Sequence, residues 1–265
     1  MPRWIRSPLA LLALLLALPA SAKVVGEEVR YTVDGQQMKG YIARNTSVQG
    51  LQPAVLVVHE WWGHNAYARQ RANMLAAQGY VAMALDLYGA DKLATHPDEA
   101  MAFMSATMEM EGAIRKRFTA ARELLADRPY VDPGKTAAIG YCFGGGVVLN
   151  MARAGMDLAG VVSFHGSLGP VQNPEPGQIK APILVFNGEA DPMVPPAMVE
   201  SFQDEMTQAG ADMTYVGYPG VVHSFTNPGA TAVGRKFDMP LAYDQAADED
   251  SWAKTSAFLR RVLRD

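Results

Sequence analysis

The single cysteine of the chain lies in a segment typical of a catalytic nucleophile. Cys142 is flanked two residues away by Gly140 and Gly144, and it follows a predicted strand at 136–140 and precedes a predicted helix at 144–154. Strand, turn and helix in this order form a nucleophile elbow, in which small neighbours let the central side chain stand above the sheet. A thiol at the start of a helix also meets the positive end of the backbone dipole, which favours the thiolate. An isolated cysteine is more often a small buried hydrophobic residue, but the glycines and the strand–helix context favour a nucleophile.

Four short segments together resemble the dienelactone hydrolase family of α/β-hydrolases. They are GYCFGG at 140–145, HEWWG at 59–63, GEADP at 188–192 and GVVHSF at 220–225. The resemblance covers nearly all of the chain after residue 22, and it implies an α/β-hydrolase fold with a Cys-His-Asp triad. It also implies a glutamate near the resting thiol, a position that Glu60 occupies.

An aspartate and a histidine follow the cysteine in the order that such a triad requires. Asp191 comes after the apolar stretch 183–186, so it falls at the carboxyl end of a predicted strand, where ligands bind in parallel sheets. His223 lies in a glycine-rich apolar loop and is the best base among the five histidines. Alone, Asp191 before Pro192 would be an ordinary turn residue. The order nucleophile, acid, histidine is that of α/β-hydrolases and favours a catalytic role.

These three side chains predict covalent catalysis on an acyl group. His223 would take or share the thiol proton, Asp191 would fix the imidazole tautomer, and the Cys142 thiolate would attack an ester carbonyl. An acyl-thioester intermediate follows. Its oxyanion needs preformed donors, for which we predict the backbone N–H groups of Trp61 and Phe143.

Two further polar residues have alternative interpretations. Glu60 is either a structural hydrogen-bond acceptor buried by Trp61 and Trp62, or a partner that holds Cys142 protonated until substrate arrives. The family resemblance favours the second role, which would also protect the thiol from oxidation. His165 follows a predicted strand and could face the site, although an ordinary loop histidine is the simpler interpretation.

The residues around the predicted site favour an uncharged substrate. The resemblance implies that relatives acting on dienelactone bind its carboxylate with arginines, whereas here no arginine follows His223 until Arg235, and 86–110 contains none. We therefore expect an apolar or aromatic ester or lactone. The aromatic residues predicted to contact it are Trp62, Tyr88, Tyr141 and Phe225. For the methionines at 101, 104, 108 and 110 we favour ordinary packing over a flexible cover of the pocket.

Other functions stay open beside that of an esterase or lactonase. A thioesterase or a peptidase would use the same triad on another acyl group. A binding protein that keeps the fold without turnover is disfavoured, because all three triad residues are present in order. We predict no cofactor and no metal, and a single cysteine excludes a multi-cysteine zinc site.

Alternating strands and helices must position these residues. Two alternating stretches flank Asp34-Gly35, which predicts an N-terminal hairpin. Further strands are predicted at 54–58, 80–85, 136–140, 160–164, 183–187 and 213–218, and helices at 67–78, 97–126, 144–154, 197–209 and 244–264. Continuous apolar strands that alternate with helices indicate the α/β class, with a mainly parallel central sheet covered by helices on both faces.

The first 22 residues predict a cleaved signal peptide. Two arginines precede an apolar run at 9–18, and the small residues before position 23 suit cleavage after Ala22. The run is too short to span a bilayer, so we expect no stable membrane insertion after cleavage. The protein is expected to be exported, periplasmic or secreted, with one domain at 23–265.

Composition excludes several other classes of protein. The 265 residues include 23 Lys and Arg against 27 Asp and Glu, a net charge of −4, so no basic surface for nucleic acid is predicted. Hydrophobic residues make up 49% of the chain, which excludes wholesale disorder. We expect a monomer whose partner is a small-molecule ester or lactone.

Overall fold

One eight-stranded sheet organises the part of the chain that the computed structural model describes, namely Met1, residues 23–170 and residues 173–265. The strands are β1 (Val24–Val33), β2 (Gln36–Asn45), β3 (Gln52–Val58), β4 (Val81–Leu85), β5 (Val131–Tyr141), β6 (Val161–Phe164), β7 (Ile183–Gly188) and β8 (Met213–Tyr218). They lie in the order β1-β2-β4-β3-β5-β6-β7-β8. Strands β3 to β8 pair in parallel, and β1 and β2 are antiparallel, which confirms the predicted mainly parallel sheet.

Helices connect most of the parallel strands. They are α1 (Ala66–Ala77), α2 (Pro97–Glu109), α3 (Ala113–Ala126), α4 (Phe143–Arg153), α5 (Pro196–Gln208), α6 (Ala230–Phe237) and α7 (Gln245–Leu263). None of the helices within the described ranges is long and apolar enough to cross a membrane. Residues 2–22 of the predicted signal peptide lie outside those ranges.

The N-terminal hairpin forms where it was predicted. Val33 pairs with Gln36, and the two turn residues, Asp34 and Gly35, have φ values of 48° and 79°. Positive φ at both positions is the requirement of the tight turn that matches the twist of antiparallel strands. The hairpin extends the sheet at one edge, and β2 joins it to β4.

The sheet is buried on both faces, as its continuous apolar strands require. In β3, Leu56 and Val58 pack with the cluster on one face, whereas Val55 and Val57 pack with the cluster on the other. Helices α3, α4 and α5 contribute to the first cluster, and α1 and α7 contribute to the second. Each fully buried side chain of this size contributes about 1.5–3 kcal/mol.

The helix predicted at 97–126 is wrong as a single element. The chain forms α2 and α3 instead, because Met110 has an extended ψ of 114° and Gly112 has a φ of 68°. That left-handed conformation is open to glycine but costly for other residues, so the break falls here. The sequence analysis also missed α6, which lies between the loop of His223 and the last helix.

Candidate active site

The carboxyl ends of the parallel strands bring the predicted triad to one edge of the sheet. Cys142 follows β5 directly, Asp191 comes three residues after β7, and His223 comes five residues after β8. Glu60 comes two residues after β3. Because all four strands run in parallel, these residues meet at the edge where ligands bind in open α/β sheets.

Cys142 occupies a strained turn between β5 and α4. Its φ of 53° and ψ of −116° lie outside the regions that ordinary side chains adopt. A Cβ atom on Gly140 would overlap the carbonyl of Gly144, and one on Gly144 would overlap the carbonyl of Val58. Both glycines are therefore required by close backbone approach, as in a nucleophile elbow.

Positive φ values recur at the site. Besides Cys142, His165 has a φ of 39° and Ser224, which follows His223, has a φ of 58°. Each such conformation costs about 1–3 kcal/mol and persists only where surrounding contacts hold it. This concentration of strain beside Cys142 is typical of a functional site.

His223 and Asp191 form a buried hydrogen-bonded pair. His223 Nδ1 lies 2.7 Å from Asp191 Oδ2, while Asp191 Oδ1 accepts the backbone N–H of Met193 at 2.8 Å. The His223 ring lines the same cavity as Cys142. Burial acts to lower the pKa of His223, but the negative charge of Cys142 and the hydrogen bond to Asp191 outweigh it and raise that pKa to about 10.

Glu60 ties the loop after β3 to the loop that carries His223. Its carboxylate accepts hydrogen bonds from Ser224 Oγ at 3.1 Å and from Asn227 Nδ2 at 2.7 Å. Burial raises the pKa of Glu60, and these two hydrogen bonds oppose that rise. The observed contacts make Glu60 a brace for the His223 loop.

His165 lies directly beneath Cys142. The Cys142 backbone N–H is shared between the Phe164 carbonyl at 3.0 Å and His165 Nδ1 at 3.2 Å. His165 Nε2 lies 2.8 Å from Thr226 Oγ1, and the ring centroid is 5.2 Å from that of His223. Burial, together with the nearby positive charges of His223 and Arg71, lowers the pKa of His165 well below its usual value. A neutral ring that accepts at Nδ1 and donates at Nε2 satisfies both contacts.

A chain of buried polar side chains continues below His165. Thr226 Oγ1 lies 2.6 Å from the Tyr67 hydroxyl, which accepts from Arg71 Nε at 3.2 Å. The Arg71 guanidinium also donates to the Thr226 carbonyl at 2.6 Å and to Asp248 Oδ1 at 2.5 Å. We call this group the polar floor. It consists of His165, Thr226, Tyr67, Arg71 and Asp248.

The cavity above Cys142 is predominantly apolar. It has a volume of about 540 Å³, within the ~300–1,000 Å³ typical of small-molecule sites. Its apolar wall, a name we keep below, consists of Trp61, Met101, Met104, Met108, Ile114, Phe143, Val147, Met193, Val194, Met239 and Leu241. Among the described lining residues, none is Lys, Arg, Asp or Glu.

The family follows from comparison with known proteins. The model of the dienelactone hydrolase family matches residues 38–263. The chain belongs to the dienelactone hydrolase family. It is a hydrolase with the α/β fold of that family, and the resemblance inferred from the four sequence segments is confirmed.

Relatives of this dienelactone hydrolase-family chain share most of its length. Protein usf of Aquifex pyrophilus is 30% identical over 244 residues, covering 90% of this chain and 100% of that protein. An Aquifex aeolicus protein whose name includes carboxymethylenebutenolidase is 29% identical over 245 residues, covering 91% of this chain and 100% of its own. The crystal structure of a dienelactone hydrolase-like promiscuous phosphotriesterase from metagenomic libraries is 31% identical, with a TM-score of 0.84, and the match covers 91% of this chain and 99% of that one.

The predicted aromatic contacts need correction. Tyr88, Tyr141 and Phe225 are fully buried and are absent from the described cavity lining, as is the half-buried Trp62. Tyr141 stacks on Phe164, with the two ring centroids 4.6 Å apart, within the cluster on the opposite face of the sheet from α4. For Tyr141, proximity in sequence to Cys142 misled the prediction, because successive side chains of a strand point to opposite faces.

The prediction that the methionines of 101–110 serve only ordinary packing also needs correction. Met101, Met104 and Met108 line the cavity rather than pack only among core residues. They recur on one side of α2, and this side lines the same cavity as Cys142. Met101 and Met108 are 49% and 55% exposed, so this side of the wall consists of flexible, solvent-accessible side chains.

Several residues of the site escaped the sequence analysis. Ser224 and Asn227 bond Glu60, and the polar residues that follow His223 were a signal that could have suggested it. Arg71 and Asp248 meet although they lie 177 residues apart on two helices, and no local pattern marks that pair.

Proposed function

We propose that this chain is an exported, cysteine-dependent hydrolase of carboxylic esters or lactones that acts through an acyl-thioester intermediate. One observation carries the proposal. Cys142 stands on a strained elbow in an apolar cavity that it shares with His223, and His223 is hydrogen-bonded to the buried Asp191.

The chemistry follows from the positions of these groups. His223 takes the Cys142 thiol proton to give a thiolate–imidazolium pair, and the raised pKa of His223 favours this charged pair. Asp191 holds Nδ1–H and stabilises the imidazolium. The thiolate attacks the ester carbonyl, the C–O bond to the alcohol breaks, and His223 returns the proton to that alcohol. Water then attacks the thioester, with His223 as general base, and releases the acid and the free thiol.

The oxyanion of each tetrahedral intermediate is assigned to two backbone N–H groups. Phe143 is the first residue of α4, where N–H groups lack acceptors within the helix. Trp61, which comes after β3, lines the same cavity as Phe143. Such preformed donors stabilise developing charge without reorganisation and are worth about 3–4 kcal/mol each in related chemistry.

The brace formed by Glu60 supports the position of His223 through Ser224. Its role as a partner that keeps the resting thiol protonated stays a prediction. Both roles use the same buried carboxylate, but the observed hydrogen bonds go to Ser224 and Asn227.

A neutral substrate is favoured by the absence of lysine and arginine from the described cavity lining. The name of the Aquifex aeolicus relative includes carboxymethylenebutenolidase, which supports lactones as candidate substrates. A second candidate is hydrolysis of neutral phosphotriesters, because the promiscuous phosphotriesterase is 31% identical and the cavity here is uncharged and apolar. Thioesters and peptides would meet the same triad.

Export is proposed on the sequence of residues 1–22 alone, and we place the mature N-terminus at Lys23. Edman sequencing of the protein secreted from its own cell type tests this. A start at Met1 in a membrane fraction would contradict it.

A substrate panel tests the catalytic proposal. Purified protein is assayed against p-nitrophenyl esters, lactones, acyl thioesters and a neutral phosphotriester, alongside His223→Ala. The control is His96→Ala, since the His96 side chain is 54% exposed, caps α2 and is not among the described residues that line the cavity. We expect ester hydrolysis to fall at least a thousandfold in His223→Ala and to persist in His96→Ala. Equal activity of both variants would overturn the proposal.

A further inference from the structure

A second cavity adjoins the one that holds Cys142. It has a volume of about 360 Å³, and its lining shares Met108, Ile114, Val147 and Asn150 with the catalytic cavity. Residues that belong to both linings form the boundary between the two spaces. The second cavity is therefore adjacent to the catalytic cavity, on the side formed by these shared residues.

The break between α2 and α3 contributes to this second cavity. Met110, Gly112 and Ala113 lie in its lining, and they are the residues at which the chain leaves α2 and enters α3. Gly112 adopts a φ of 68°, and space lies open where its Cβ would stand.

Arg153 and Asn150, which line the second cavity, are engaged by other protein groups, whereas Arg115 in the same lining is exposed to solvent. The Arg153 guanidinium donates to both carboxylate oxygens of Glu205, at 2.6 and 2.8 Å, and to the Leu168 carbonyl at 2.7 Å. Asn150 donates to the Gly146 carbonyl at 3.0 Å and accepts from Arg153 at 3.3 Å. Methionine, alanine, isoleucine and valine side chains supply most of the rest of the lining.

We infer that the second cavity is a distal subsite for one long apolar arm of the substrate. The inference rests on the proposed function, and it narrows the substrate class to esters with an extended aliphatic or aromatic arm. Met108 lies at the boundary and is 55% exposed, so an unbranched, flexible side chain stands where the arm must pass. A short ester would fill only the space next to Cys142.

Burial of the arm gives a measurable length dependence. Each methylene removed from water contributes about 0.8 kcal/mol, which corresponds to about a fourfold gain in kcat/KM. We expect kcat/KM to rise at least tenfold from p-nitrophenyl butanoate to octanoate or dodecanoate. A matched series of alkyl acetates, from ethyl to dodecyl, shows whether the alcohol arm occupies the subsite instead.

Ala154→Phe tests the location of the subsite. Ala154 lies in the lining of the second cavity but not in that of the catalytic cavity, and it caps the end of α4. A phenyl ring there should lower kcat/KM for the preferred long esters at least tenfold, while p-nitrophenyl acetate is hydrolysed within twofold of the wild-type rate. Ala154→Ser, which adds little volume, is the matched control and should keep the wild-type length dependence.

The outcomes separate this inference from the proposed function. If wild-type protein hydrolyses short esters but kcat/KM stays flat in both length series, the subsite is overturned and the hydrolase stands. If Ala154→Phe lowers short and long esters equally, the subsite is also overturned. Failure of the proposed function would give a different result: His223→Ala would hydrolyse esters of every length as well as the wild-type protein does.

Discussion

Two regions meet at Cys142 and are built in opposite ways. The polar floor beneath it joins side chains from α1, α7 and two loops by hydrogen bonds of 2.5–3.2 Å, and its members are largely buried. The apolar wall above it contains methionines with exposed, flexible side chains and no charged residue among those described. A buried polar network tolerates no missing partner, whereas methionine adapts to many neighbours. We infer that the floor fixes catalytic geometry and the wall selects substrates.

The largest effect, on the free energy of unfolding, is expected when the polar floor loses the positive charge of Arg71. In Arg71→Met, Asp248 and the Thr226 carbonyl lose their donor, because the Arg71 side chain is only 4% exposed and bonds both. Breaking a buried pair costs about 3–5 kcal/mol of the free energy of unfolding. Urea unfolding measures it. The matched control is Arg69→Met on the same helix, whose pair with Glu28 is exposed and worth at most about 1 kcal/mol. If Arg71→Met and Arg69→Met lost the same free energy of unfolding, the buried polar floor would be no more important for stability than a surface ion pair.

A smaller effect on catalysis is expected at Thr226. Its hydroxyl lies between His165 and Tyr67, so Thr226→Val keeps the shape and removes both hydrogen bonds. Loss of His165 support beneath the Cys142 N–H should lower kcat about tenfold with little change in KM. Thr226→Ser retains the hydroxyl and should restore kcat. A wild-type kcat in the valine variant would show that the floor only supports the fold.

His165 gives the floor a pH dependence of known sign. Its pKa is lowered in the folded protein, so below about pH 6.5 the unfolded chain takes up a proton that the folded protein refuses. As the pH falls, this group therefore lowers the free energy of unfolding of the wild-type protein by up to ~1.4 kcal/mol per pH unit. In His165→Gln that contribution is absent, so its stability deficit should narrow between pH 7.5 and 5.5. The exposed His96→Gln serves as the control, and a deficit that widens on acidification would refute the assignment.

The smallest effect is expected on the wall. Met104 lines the cavity, and Met104→Leu conserves volume and apolar character. We expect kcat/KM for any one ester to stay within about threefold and the free energy of unfolding to change by less than about 1.5 kcal/mol. Steady-state kinetics and urea unfolding give both values. A change as large as that of Thr226→Val would remove the distinction between the two regions.

The sequence alone predicted the parts of the molecule that depend on local pattern. Continuous apolar strands predicted the sheet, Asp34-Gly35 predicted the hairpin, and the G-x-C-x-G segment predicted the strand–turn–helix that holds Cys142. Strand ends in a parallel sheet share an edge, which is why the positions of Asp191 and His223 in the chain predict that they lie at the same edge.

Other features depend on information that a single sequence does not display. Tyr141 adjoins Cys142 yet faces the opposite side of the sheet, and the Arg71–Asp248 pair joins two distant helices. Gly112 was overlooked because the apolar pattern on either side continues a helix, and only its positive φ reveals the break. These are consequences of tertiary packing, which overrides local propensity.

The central claim is that Cys142 becomes acylated during turnover, and intact-protein mass spectrometry after an acid quench tests it most directly. With an activated ester, wild-type protein should gain the mass of one acyl group within a turnover, and peptide mapping should place it on Cys142, the single cysteine. Cys142→Ala should gain none and hydrolyse none. An alanine variant that hydrolyses the ester at the wild-type rate, or an acyl group found on another residue, would contradict the account.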